Sequence, residues 1–466
     1  MRKERSVHPW IPNSAPRIRD EMLREIGASS IDELYELIPE PLRFKGKLNL
    51  PDPLPDEASL DRHMRNILGK NVSTAERLSF LGGGCAPHYV PAVCDWINQR
   101  SEFLTAYAGE PYEDHGRFQV LFEYASMIGD LVGMDAVSVP TYDGSQAAAS
   151  ALRMAGRITG RKKALIPEII NPDRRSIIGN YSDPKLEVDE IGGDPETGLI
   201  DLGDLERKLG SDVAAVYFEV PGYLGTIEPD PTEITRLAHA AGALVVIGVD
   251  PISLGVLAAP ADYGADIVVG ELQPLGVRMQ FGGGRGGFIA TPDEERYISE
   301  YPLRLFGIAP TVDRKWGFGD VAWERTSFAK REGSKEFVGT MAALWGITAG
   351  VYLALMGPAG MRELGETILA RAAYAAERLN GIPGVRAPRL RSPFFKEFTV
   401  DFSETGLTVA AINEQLLERG IFGGHDLSSP FPELVGCALY CVTEVHTKDD
   451  IDRLVGAVSE VVKEGR

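Results

Sequence analysis

The stretch from Ala241 to Ala290 constrains this chain more than any other. It opens AGALVVIGVDPISLG, in which Ala243 to Val249 is an unbroken apolar run followed by Asp250. Val and Ile dominate, polar alternation is absent, and the run is too short for a buried helix. It therefore predicts a central parallel strand covered on both faces, with Asp250 at its end. A second buried strand, GADIVV (Gly264 to Val269), follows, then GELQPLG (Gly270 to Gly276) and the glycine-dense FGGGRGGFIA (Phe281 to Ala290). On periodicity alone these are two core strands of some α/β domain.

The order strand, terminal acid, short connector, Gly-Ala-Asp and second strand resembles the layout of pyridoxal-phosphate (PLP) enzymes of the aspartate-aminotransferase fold. In that layout the acid pairs with the pyridine nitrogen, and a Schiff-base lysine lies just past the second strand. Here Gln273, Pro274 and Leu275 stand at that place, and no lysine occurs between Lys208 and Lys315. Without that amine the chain cannot hold the cofactor there as an internal aldimine.

A length of 466 residues is enough for two or three domains. With 44% hydrophobic and 25% charged residues, the composition is that of a soluble globular protein. A formal net charge of -19 disfavours nucleic acid and anionic membrane as partners. Cys85, Cys94, Cys437 and Cys441 show no CxxC spacing, so packed thiols are expected rather than a metal site. VGCALYCVTE reads as a strand on which Cys437 and Cys441 share a face. The basic MRKER start is not followed by an apolar segment, unlike a secretory signal. No apolar run approaches the roughly 20 residues of a membrane span. A reducing cytoplasm is the expected compartment.

In chain order, residues 1–75 read as an N-terminal arm. It has a helix through Glu25, a short amphipathic helix ended by Pro39, and a proline-rich lead into LDRHMRNILGK, with Ser59 as a candidate cap. A large domain is expected over 76–345. In it RFQVLFEYASMIGDLVGM is a helix, and in YDGSQAAASALRMAGRITG Asp143 can cap a helix that starts Gly144, Ser145, Gln146. Such a start is an ordinary capped helix or a ready anion site. KALIP, KLEVDEI and VAAVYFEV alternate with helices, which predicts a doubly wound, mainly parallel sheet. FGDVAWERTSFAKREGSKEFVGTM reads as a polar loop. Over 346–466 a connector helix leads into a small α+β domain built from PFFKEFTVDF, TVAAINEQLLERG, CALYCVT and the terminal helix.

Eight blocks in register carry a resemblance: FLGGGCAPHYVPAV, RSEFLTAY, LFEY, YDGSQAA, DPISLG, GADIVVGELQPLG, GVYLALMGP and TEVHTKDDIDRLV. Together they resemble the alpha chain (subunit 1) of the two-subunit glycine decarboxylase, the P-protein of the glycine cleavage system. The resemblance implies PLP fold type I, an α/β architecture with a large and a small domain. It implies a homologous beta chain (subunit 2) that carries the PLP lysine, so that PLP is held covalently by the partner and not by this chain. It further implies that the pair decarboxylates glycine and transfers the aminomethyl group to the lipoylated H-protein. The alpha chain would complete the site across the interface and keep a degenerate second site.

Three segments depart from the family pattern. The loop that reads like TAYTPYQPE-x-SQG is TAYAGEPYEDHG here, with Asp114-His115 in place of Ser-Gln. The late loop that reads like RREKATSNICT is KREGSKEFVGT, and FGGP becomes FGGGRGG. Tyr107 and Tyr112 are candidate catalytic groups whose hydroxyls can orient a carboxylate or phosphate, or are packed loop tyrosines. His115 beside Asp114 is a candidate general acid/base, or a solvated histidine. Gly144, Ser145, Asp250, Ser334 and Thr340 are the candidate cofactor contacts. Asp250 can instead cap DPISLG, His88 has a structural hydrogen-bonding role as its default, and Arg278 and Arg285 hold an anion or lie on the surface. The departures leave two further readings: a paralogue working with a PLP-binding partner on another amino acid, or a PLP-free scaffold.

Overall fold

The computed structural model describes residues 11, 15–46, 48–103, 115–280, 285–333, 335 and 342–465. They fall into two compact units, Met1–Asn71 and Val72–Arg466.

In the first unit, helices span Pro16–Glu25, Ile31–Leu34 and Glu57–Leu68. The last is capped one turn earlier than its sequence suggests. Asp56 is the N-cap, and its carboxylate accepts from the Ser59 backbone N–H at 2.8 Å and the Ser59 hydroxyl at 2.8 Å. Asp and Ser are equally good caps; Asp56 stands at the extended residue before the first turn, and Ser59 is its donor.

The second unit is built on a seven-stranded sheet. Its strands are β1 (Ala136–Val137), β2 (Lys163–Pro167), β3 (Glu187–Ile191), β4 (Val213–Val220), β5 (Leu244–Val249), β6 (Ile267–Glu271) and β7 (Gly287–Thr291). The spatial order is β1-β7-β6-β5-β4-β2-β3. Neighbours from β3 to β6 pair in parallel, and β7 runs antiparallel to both β6 and β1. The sheet is thus mixed, with one reversed strand.

Around it lie α1 (His115–Val132), α2 (Gly144–Thr159), α3 (Pro172–Ser182), α4 (Leu202–Lys208) and α5 (Pro231–Ala240). Successive strand side chains point to opposite faces, and both faces are buried. Tyr217, Val246, Ile267 and Ile289 join the alanine-rich face of α2 in one core. Phe218, Val245, Ile247 and Phe288 face the other way into a second core. This double burial explains why β4, β5 and β6 are apolar without alternation.

A hairpin of β8 (Phe306–Pro310) and β9 (Trp316–Asp320) follows. The start of the segment expected as loop is therefore a strand, held by its cross-strand partner. The long helix α6 (Ala343–Asn380) contains Gly357 at φ 60°, ψ 178° and then Pro358, so two helical stretches run together across a kink. The joined helix is long and apolar enough to cross a membrane. Its apolar residues Ile347, Ala349, Tyr352 and Leu353 are buried in the core, which accounts for that character. The chain ends in a three-stranded antiparallel sheet of β10 (Glu397–Asp401), β11 (His425–Asp426) and β12 (Cys437–Cys441), with α7 (Val409–Glu418) and α8 (Lys448–Glu464). Cys437 and Cys441 are buried free thiols on β12, and burial pushes the Cys437 thiol up to about 12.

Candidate functional site

The parallel strands deliver Glu219 of β4, Asp250 after β5 and Glu271 of β6 to one end of the sheet. Ligands of open α/β sheets bind at these carboxyl ends. Asn171, Arg174, Gln273, Pro274, Lys396 and Glu397 join the three acids around a cleft of about 80 Å³. Pockets for small organic ligands run from roughly 300 to 1,000 Å³. This cleft is well below that range because charged side chains fill it.

Asp250 is committed on both sides. One carboxylate oxygen accepts from the Ile252 backbone N–H at 3.0 Å, so the residue does cap DPISLG. The other carries the Lys396 ammonium in a buried ion pair. Burial alone lowers a lysine pKa, but Asp250 and the other acidic groups nearby outweigh it and hold Lys396 above its usual value. Lys396 is therefore a cation. It also sits at φ 63°, a region that side-chain-bearing residues adopt only where surrounding contacts enforce it. Glu397 beside it accepts from the Gly83 backbone N–H at 2.6 Å, and burial raises its carboxyl.

The second commitment is at the N-terminus of α2. Asp143 caps the helix by accepting from the Gln146 backbone N–H at 2.7 Å. The next free donor, the Gly144 backbone N–H, is bonded to a carboxyl oxygen of Glu271 at 3.0 Å. Arg285 lies 3.8 Å from the same oxygen and bonds Asp143 at 3.2 Å and the Gly84 carbonyl at 2.8 Å. Burial pushes the Glu271 carboxyl up to about 7, against the pull of Arg285 and the Gly144 N–H. Its other oxygen is buried and has no hydrogen-bond partner among the described residues. A Cβ on Gly144 would lie 3.3 Å from Arg174 and 3.4 Å from Glu271, so these groups press directly on the helix start.

The lysine place is the third. The Gln273 side chain is buried; its carbonyl accepts from the Ala86 N–H at 3.2 Å and its amide donates to the carbonyls of Ala86 at 3.0 Å and Val277 at 3.2 Å. Lastly, Arg174 donates to the Tyr217 hydroxyl at 3.1 Å and is ion-paired with Glu219, while Tyr217 donates to Glu219 at 2.7 Å. Among the described residues no group of three or more His, Cys, Asp or Glu is placed to hold a metal.

PLP makes three demands on such a cleft: an anion site for its phosphate, an acid for its ring nitrogen and a lysine for its aldehyde. The residues present do not fit it. The helix start faces Glu271, Asp250 faces Lys396, and Gln273 has no amine to offer.

The candidate residues fall as follows. Asp250 lines the cleft, Gly144 meets it through Glu271, and Ser145 is buried in the first turn of α2. Tyr107, Tyr112, Ser334 and Thr340 lie outside the described residues, as does the His115 side chain; the His115 backbone begins α1. Arg285 holds the α2 start, whereas Arg278 is exposed and bonded to Asp95 at 2.5 Å. His88 is 2.9 Å from Glu444; burial pushes the Glu444 carboxyl up, but His88 and hydrogen bonds outweigh it and hold the carboxyl below its usual value.

Glu271, Lys396 and the Arg174–Tyr217–Glu219 cluster were not singled out by sequence reasoning. A signal was present for Glu271, a lone carboxylate closing a fully apolar strand. None marked Lys396, which lies 146 positions from Asp250.

The glycine cleavage system P-protein family model matches residues 9–458. A relative from Staphylothermus marinus, named "Probable glycine dehydrogenase (decarboxylating) subunit 1", is 39% identical over 98% of this chain and 99% of its own length. A relative of the same name from Saccharolobus islandicus is 38% identical over 98% of each chain. A crystal structure of glycine decarboxylase (P-protein) of the glycine cleavage system, in inhibitor-bound form, is 33% identical, covers 97% of this chain and 100% of its own, and superposes with a TM-score of 0.82. The Burkholderia pseudomallei sphingosine-1-phosphate lyase, 14% identical with a TM-score of 0.66 over 92% of this chain and 95% of its own, shares the fold alone. The chain belongs to the glycine cleavage system P-protein family, a PLP-dependent family of fold type I.

Proposed function

We propose that this chain is the non-lysine subunit of a PLP-dependent glycine decarboxylase. It pairs with a homologous beta chain that holds PLP on its lysine, and the pair hands the aminomethyl group to the lipoylated H-protein. The observation that carries the reading is the near full-length match to relatives named subunit 1. Gln273 and Pro274 at the lysine place support the division of labour. Bond-breaking chemistry is assigned to the partner's cofactor. Tyr107 and Tyr112 are assigned to orienting the substrate carboxylate from across the interface, and His115 to moving a proton. The assembly is placed in the cytoplasm, with no nucleic acid and no membrane partner.

The test is co-expression with a beta-type chain and an assay of glycine-dependent exchange of carbon dioxide in the presence of H-protein. Exchange is expected, and Tyr107→Phe or His115→Ala is expected to lower its rate by about 10²-fold or more. A complex that assembles and never exchanges rejects glycine. The rewritten TAYAGEPYEDHG loop then favours a paralogue with another amino acid, which a spectral screen of amino acids on the holo complex identifies. Full activity in both variants favours the scaffold reading.

A further inference from the structure

The cleft at the strand ends is closed by charges of the same kind that a cofactor would bring. A free helix N-terminus attracts an anion through its unpaired N–H groups and its dipole. Glu271 delivers a carboxyl to that place at hydrogen-bonding distance from Gly144. A buried carboxylate at a strand end attracts a cation, and Lys396 delivers an ammonium to Asp250. A vacated lysine place leaves room and unpaired backbone groups, and Gln273 spans it by bonding both Ala86 and Val277. The three side chains come from β6, the segment just after it, and the residue just before β10, so no single local sequence event put them there.

We propose that this chain's cleft is a self-occupied site: Glu271, Lys396 and Gln273 stand in for the phosphate, the ring cation and the lysine link, and the cleft takes up neither PLP nor inorganic phosphate. A phosphate at the α2 start meets Glu271 already on the Gly144 donor, with Asp143 as a second acid beside it. A pyridine ring over Asp250 has to displace an ion pair whose side chains are only 10% and 12% exposed. Lys396 offers no alternative link, because an amine held as an ion-paired ammonium is not a nucleophile. Its backbone in the left-handed region is braced by the Val442 N–H bonding its carbonyl at 2.9 Å. The remaining cavity of about 80 Å³ is well below the range of small-molecule pockets. The subunit accordingly folds around a built-in set of polar and ionic partners and needs no cofactor of its own to satisfy them. This goes beyond the glycine reading and does not rest on it.

The experiment uses the purified full chain, with near-ultraviolet circular dichroism to confirm folding of each variant. Thermal midpoints are measured in phosphate and in chloride of equal ionic strength, and PLP is added before borohydride reduction and peptide mapping. The wild type is expected to show equal midpoints and no pyridoxyl group on any lysine of the cleft. Glu271→Ala is expected to gain phosphate binding roughly tenfold tighter than the wild type, seen as a phosphate-dependent rise in midpoint. Arg285→Ala on that background is expected to abolish the gain, which fixes its position. Glu271→Gln, which keeps the shape and removes the charge, is expected to fall between. Phosphate or PLP binding by the wild type as tight as in Glu271→Ala overturns the proposal, and so does a pyridoxyl group on Lys396. A folded Glu271→Ala that gains nothing also overturns it. If Glu271→Ala does not fold, the wild-type measurements and Glu271→Gln decide in the same way.

Discussion

At the scale of single residues, the cleft makes two predictions. Glu271 has a folded pKa of about 7, against about 4.3 for an unfolded glutamate. Between these values the native state keeps a proton that the unfolded state has lost, so stability falls as pH rises. The contribution is full below pH ~4.3, is lost as pH rises through about 7, and amounts to ~4 kcal/mol at most. The groups facing Glu271 are Arg285, Asp143 and Arg174, and they set how far the window moves. Urea unfolding across this range is expected to show that downward slope in the wild type and a flatter one in Glu271→Gln; identical slopes would dismiss the assignment. The second prediction concerns Lys396. Removing one partner of a buried ion pair strands the other charge, which destabilises by about 3–5 kcal/mol. Lys396→Met is expected to lose that much, and adding Asp250→Asn is expected to recover most of it. A double variant as unstable as the sum of the singles means that the pair is not coupled. The sequence displayed Asp250 at the strand end and the absent lysine, because both lie within one short stretch. It was silent on Lys396, because only folding brings β10 to β5.

At the scale of elements, the kink in α6 makes a separate prediction. Gly357 at φ 60°, ψ 178° occupies a backbone region that is almost restricted to glycine, and among the described residues nothing stands within 4 Å of a Cβ built there. The cost of Gly357→Ala is therefore backbone strain without a clash, about 1–3 kcal/mol. Thermal unfolding checks it: a midpoint lowered together with an unchanged near-ultraviolet spectrum is expected, and an unchanged midpoint would contradict the kink. Gly357-Pro358 is a helix-breaking pair, yet α6 continues through it as one kinked run. The α2 start was fully legible, since Asp143 and Gly144 are neighbours and their roles are local. The arm helix cap was misread by three positions, at Ser59 instead of Asp56, because both residue types cap well and only the extended backbone at Asp56 decides. The β8–β9 hairpin was missed because its strands are held by each other rather than by a hydrophobic period.

At the scale of the whole molecule, a member of the P-protein family, matched over residues 9–458, presents a fold-type-I sheet whose own cleft is filled. Under the proposed function, catalysis by this chain alone is absent and appears with the lysine-bearing partner. The co-expression assay reads this directly, and exchange by the isolated chain would refute it. By itself the sequence determined the α/β class, the doubly buried strands β5 and β6, the capped start of α2 and the loss of the Schiff-base lysine. These are decided by hydrophobic period, by cap chemistry and by the presence or absence of one functional group, all readable within a few residues. Only the tertiary structure decided that β7 runs against its neighbours, that Arg174, Tyr217 and Glu219 form one cluster, and that Glu271 and Lys396 meet Gly144 and Asp250. Those facts depend on which distant segments share a low-dielectric pocket, where an unpaired charge is too costly to leave and the partner is chosen by proximity in space rather than along the chain.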